Sequence, residues 1–161
     1  MKKISILFLI ATFFLGIMPA QAQLKGFSIG PYVEGALPVG DFGDAYKSGI
    51  GAGLGADVKI PFTKLGVTAS VGYMHFEGKD GNPIKFNAIP IRAGLKYRFS
   101  LVYAKLEAGV ANITDDGGSA FIISPGLGVR ILGLDIQAKY ESWSKDKVSN
   151  GFVGLKASYN F

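Results

Sequence analysis

Cysteine is absent from all 161 residues. That excludes disulfides, thiolate metal ligands and the acylated cysteine of a lipoprotein. Histidine chemistry is confined to one residue, His75. Charge of one sign is also scarce. The formal excess is +5, and removing Lys2 and Lys3 with the N-terminal segment lowers it to +3, too little to indicate a nucleic-acid partner. Beyond residue 18 no apolar run is long enough for a membrane-spanning helix. Yet 48% of residues are hydrophobic and 23 are glycine, so the hydrophobicity must be distributed along strands.

The N-terminal run is also shorter than the roughly 18 to 20 residues a spanning helix needs. Lys2 and Lys3 precede an apolar run from Ile4 to Met18, followed by Pro19 and the small-residue site Ala20-Gln21-Ala22. This is the layout of a cleavable secretory signal peptide. Residues 1–22 are expected to be removed after Ala22, leaving 23–161 as one domain, a mature chain of 139 of the 161 residues.

From Phe27 onward the chain alternates with period two. Ile50, Ala52, Leu54, Ala56, Val58 and Ile60 oppose Gly51, Gly53, Gly55, Asp57 and Lys59. Ile89, Ile91, Ala93, Leu95, Tyr97 and Phe99 likewise oppose Pro90, Arg92, Gly94, Lys96 and Arg98. Similar segments at 27–37, 67–74, 102–110, 121–131, 134–141 and 152–161 bring the total to eight, an even number that can close antiparallel. Connections at 61–65, 100–101 and 132–133 are tight, whereas those at 39–49, 77–85, 112–119 and 144–150 are longer and polar. The expected fold is all-β, an eight-stranded antiparallel up-and-down transmembrane barrel. Its tight turns and both termini face the periplasm.

Alternation alone leaves open which face is inside. The glycines resolve it, because Gly30, Gly51, Gly53, Gly55, Gly72, Gly94, Gly109, Gly126, Gly128 and Gly154 share the parity of the charged residues. Glycine weakens an exposed strand, but small residues suit a cramped interior beside long charged side chains. The lumen face then carries Lys59, Arg92, Lys96, Arg98, Lys105, Arg130, Lys139 and Lys156 with Glu34, Asp57, Glu107, Asp135 and Glu141. Buried charges need partners. Register from the short turns puts Arg130 opposite Asp135 and Arg92 within one step of Glu107, and a third pair of this ion-pair network, Glu34 with Lys156, would close the barrel between its first and last strands. On the other face Tyr97, Phe99, Tyr159 and Phe161 mark one rim and Tyr73, Phe121 and Tyr140 the other, as interfacial girdles.

Eight such strands, the signal peptide and the ending Tyr159-Asn160-Phe161 resemble the OmpA/OmpX-like family of small outer-membrane β-barrels over the whole mature length. The resemblance implies an integral protein of the Gram-negative outer membrane, in contact with its lipid and lipopolysaccharide. It also implies that Tyr159 and Phe161 form the assembly signal read by the barrel-assembly machinery. No peptidoglycan-binding domain follows Phe161, so tethering to the cell wall is not implied. A monomer without cofactor, metal or nucleic-acid partner is expected.

Candidate chemistry is thin. Some relatives of this family modify lipid A with a histidine, a serine and an acid, and His75 stands near the outer end of the third strand. It shares the parity of Tyr73, and no serine follows closely. Gly51-x-Gly53-x-Gly55 lies inside a strand without a following helix or a Lys-Ser/Thr pair, which does not fit a phosphate-binding loop. Asp115 and Asp116 with Asp41 and Asp44 match no calcium-loop spacing. The expected role is structural, surface-display or interaction, without enzymatic activity; a narrow channel and a lipid-modifying enzyme are the alternatives. If the N-terminal segment is processed as expected, Edman or mass-spectrometric analysis of protein from outer membranes will find Gln23 first. An uncleaved chain in the inner membrane would overturn this.

Overall fold

The computed structural model describes residues 26–79, 85–114, 117–146 and 148–161. The expected signal peptide and Asp115 and Asp116 lie outside these residues. Eight strands run β1 (Phe27–Val39), β2 (Tyr46–Lys59), β3 (Leu65–Gly78), β4 (Phe86–Phe99), β5 (Val102–Ile113), β6 (Gly118–Ile131), β7 (Leu134–Lys145) and β8 (Val148–Tyr159). Each pairs antiparallel with its chain neighbour, and β1 pairs with β8, closing the barrel without a free edge. Closure is what hydrocarbon demands, since unpaired backbone groups have no water to turn to there.

Side chains follow the expected parity. Ile89, Ile91 and Leu95 are exposed on the outer face, while Arg92 and Lys96 of the same strand are buried. The turns at one end, hereafter the turn end, are tight because the backbone adopts left-handed conformations there. Leu132 and Gly133 have φ of 50° and 88°, the pair of positive values a two-residue type I′ hairpin requires.

At the opposite, loop end the strands run longer than expected. The 144–150 connection is shorter than expected, because Lys145 and Val148 already pair. The first connection contains a short helix, α1 (Asp41–Ala45), which turns Phe42 inward. Two prolines leave marks on the ladder. Pairing of β3 with β4 lapses between Val71↔Ile91 and Met74↔Ala88, beside Pro90. The β6–β7 pairing lapses between Ile123↔Ser142 and Gly126↔Lys139, beside Pro125. A proline has no N–H to donate.

The lumen glycines permit close approach. A Cβ on Gly53 would stand 2.6 Å from Gly72 Cα, against backbone that cannot retreat, whereas a Cβ on lipid-facing Gly35 would meet nothing within 4 Å. Gly53→Ala is therefore expected to destabilise the barrel by roughly 1–3 kcal/mol, as overpacked sites do. Gly35→Ala should change stability by less than about 0.5 kcal/mol. Urea midpoints of the heat-modifiable gel band measure both, and equal effects would contradict the packing described.

Candidate functional site in the barrel lumen

The inward parity of eight tilted strands stacks side chains in three layers along the axis. At the loop end the layer is apolar. Phe42, Phe76, Trp143 and Phe152 are buried with Met74, Ile122 and four alanines, and Tyr46, Phe86 and Ile113 pack against them. The rings interlock edge to face, with Phe76 and Trp143 centroids 6.1 Å apart and Phe42 5.1 Å from Phe76. This apolar plug adds to the charged and glycine-rich lumen face read from the sequence. Parity carried the signal, since Phe76 follows Met74 and Trp143 follows Glu141 at two-residue spacing.

The middle layer centres on Arg92 from β4 and Glu141 from β7. Arg92 donates to Glu141 Oε1 through Nη2 at 2.7 Å and Nε at 3.1 Å, and its Nη1 reaches the Tyr32 hydroxyl at 3.4 Å. Lys139 Nζ lies 2.7 Å from Glu34 Oε1 and 2.6 Å from Glu141 Oε2. Trp143 Nε1 donates to Glu141 Oε1 at 2.6 Å, tying plug to network. Lys156 rests 3.7 Å above the Tyr32 ring, and Lys105 pairs with Glu107 at 3.1 Å.

Toward the turn end, Lys96 Nζ donates to Asp57 Oδ2 at 2.6 Å and Asp135 Oδ2 at 3.1 Å, and the Tyr103 hydroxyl donates to Asp135 Oδ1. Five buried acids (Glu34, Asp57, Glu107, Asp135, Glu141) balance five buried bases (Arg92, Lys96, Lys105, Lys139, Lys156). Neutrality is necessary, since an unpaired ion here would cost several kcal/mol.

The expected pairs are neighbours on the ladder, two of them directly opposite, but they do not bond to each other. Arg130 does stand opposite Asp135, and Glu34 opposite Lys156. Arg130 nevertheless extends to Asp57 at 3.4 Å and Ser28 at 3.2 Å. Glu34 takes Lys139, and Arg92 crosses the lumen to Glu141 while Glu107 takes Lys105. Gly109 is opposite Arg92, with Glu107 one same-face step along the strand as expected. In so narrow a barrel long inward side chains converge on the axis, so a partner across the lumen is nearer than the ladder neighbour. Asp57, Lys96, Lys139 and Glu141 thus join the network that sequence pairing had drawn without them.

Little space remains. A void of about 20 Å³ lies among Tyr32, Asp57, Lys96, Lys105, Asp135 and Lys156, room for roughly one water. A larger cavity of about 270 Å³ lies at the turn end.

Outside the lumen, His75 is half-buried on the outer face, with Nδ1 2.6 Å from Asn87 Oδ1. Among the described residues no group of three or more histidine, aspartate or glutamate side chains is placed to hold a metal. Tyr159 and Phe161 stack edge to face at 5.0 Å, and the Phe161 N–H donates to Ile29 O at 3.0 Å, joining the last residue to the first strand.

Residues 7–161 match the family described as the outer membrane protein β-barrel domain. The chain belongs to that family. No curated protein matches it by sequence. Among solved structures, this family member is similar to the Yersinia pestis outer membrane protein Ail in a nanodisc. The TM-score is 0.60 at 19% identity, covering 84% of this chain and 99% of that one. It is similar also to the N-terminal β-barrel domain of Pseudomonas aeruginosa OprF, at TM-score 0.58 and 16% identity over 83% and 97%. Neisserial surface protein A gives TM-score 0.51 and 18% identity over 84% and 97%. These likenesses concern the fold: a small closed barrel integral to the outer membrane.

For this outer-membrane barrel the Arg92–Glu141 contact makes a sharp test. Arg92→Met should destabilise it by about 3–5 kcal/mol by orphaning two buried carboxylates, and adding Glu141→Gln should recover part of the loss. Arg130→Gln, at a side chain 25% exposed, should cost less than about 1 kcal/mol. Strictly additive losses in the double variant, measured by urea titration of the folded gel band, would mean that the two side chains do not meet.

Proposed function

We propose that this outer-membrane barrel is a non-enzymatic, non-conducting protein that anchors in the bilayer and presents its loop end for a structural or surface-interaction role. The observation that carries this reading is the filled lumen. A neutral ion network occupies the middle and an aromatic plug the loop end, and a channel needs a continuous water path through both. A lipid-modifying centre would need a nucleophile and an acid beside His75, whereas the bond His75 makes is to an amide oxygen.

The turn end faces the periplasm and the loop end the cell exterior. Residues 1–22 direct export and are cleaved after Ala22, and 23–161 fold as a monomer among outer-membrane lipid and lipopolysaccharide. Tyr73, Phe121 and Tyr140 stand exposed on the outer face toward one rim, and Tyr97, Phe99 and Tyr159 toward the other, as interfacial anchors do. Phe161, bonded to β1, and Tyr159 act as the assembly signal. Purified folded protein in planar bilayers is expected to give no steady unitary conductance, and overexpression to leave lipid A acylation unchanged. A reproducible open level, or altered lipid A, would overturn the corresponding half of the proposal.

A further inference from the structure

The charge balance of the lumen fails at one place. Around the turn end, Lys96, Arg98 and Arg130 share two acids, Asp57 and Asp135. Both acids are already committed. Lys96 takes Asp57 Oδ2 at 2.6 Å, and Asp135 accepts from Lys96 and from the Tyr103 hydroxyl. What remains for the two arginines is long: Arg98 Nη2 stands 3.8 Å from Asp57, and Arg130 Nη1 is 3.4 Å from Asp57 and 3.2 Å from Ser28 Oγ. A guanidinium carries five N–H donors in a fixed fork, so most of the ten have no hydrogen-bond partner among the described residues.

Both forks line the cavity of about 270 Å³, together with Ser28, Tyr103 and the apolar Phe27, Leu101 and Val102. Each side chain is about a quarter exposed, at 24% and 25%. Lys59 and Lys64 stand exposed on the surrounding turn. Among the described residues no aspartate or glutamate side chain is exposed at this end.

We propose that this vestibule is a phosphate-binding site, in which Arg98 and Arg130 close on the anion from β4 and β6 and the Ser28 hydroxyl donates to it. Paired guanidinium forks recognise phosphate through several charge-assisted hydrogen bonds. A mouth with low-dielectric walls focuses the field of the uncompensated charge. The anion supplies negative charge that Asp57 and Asp135 must otherwise spread over three cations. Two sources offer the same group. The apolar wall continues onto the lipid-facing rim, where a phospholipid headgroup arrives sideways, and the open mouth admits free phosphate from the aqueous side.

The chain's three arginines make the test direct. Mature, folded protein in maltoside micelles, free of phosphate buffer, is titrated with inorganic phosphate at constant ionic strength while the arginine Nε–H signals are followed by ¹⁵N NMR. Saturable shifts of Arg98 and Arg130, with buried Arg92 still, are expected, with a dissociation constant of about 1 mM or below. Arg98→Gln with Arg130→Gln should weaken binding at least about tenfold. If that variant does not fold, as judged by the gel shift, the two Arg→Lys variants keep the charge without the fork and should weaken it several-fold.

A second arm uses nanodiscs in buffer without inorganic phosphate, made of zwitterionic phosphatidylcholine with or without anionic phosphatidylglycerol. The same two signals moving only with phosphatidylglycerol identify the lipid headgroup as the source, and movement in the first arm alone identifies free phosphate. Linear drift without saturation, shifts that survive the double substitution, or no response in either arm would overturn the proposal.

Discussion

Glu141 receives Arg92, Lys139 and the Trp143 indole at once, and most of the interior is arranged around that meeting. The constraint behind it is geometric. An eight-stranded barrel has no room for hydrated ions, so every inward charge must find its opposite across a few ångströms of low-dielectric space. Satisfying Glu141 fixes the rotamers of Arg92 and Lys139. These in turn bracket Glu34 on β1, and so the two sides of the closing seam are drawn to one centre.

Glycine is the other half of this arrangement. Long charged side chains fit because positions facing them carry almost no side chain at all. At Gly72 an added Cβ would run into the Tyr32 ring, and at Gly154 into Lys139. The outer face follows different rules, being filled with aliphatic residues whose exposure to water would be costly but whose exposure to acyl chains is not.

How much of this could be read in advance depended on the length scale of the cause. Strand parity is local, so the faces of β4 and the closing register of Glu34 against Lys156 followed from period two and short turns. Partner choice is not local. Arg130 and Asp135 are ladder neighbours, yet each finds a better partner across the lumen, where sequence spacing has no say. The plug fell between the two cases. Phe76, Trp143 and Phe152 carried inward parity, but Phe42 reaches them from a five-residue helix in a segment that alternation describes only as a loop.

That helix separates two parts of the molecule. Phe42 seats against Phe76 and Phe86, and Lys79 donates to Gly43 O at 2.6 Å, so the α1 segment is fastened to an apolar lid and not to the ions beneath it. Residues beyond the lid are thereby released from the electrostatic bookkeeping of the interior. Exchanges in the segment that carries α1 therefore leave the buried charges in place. The rim beyond the plug can thus change while the charged interior stays as it is.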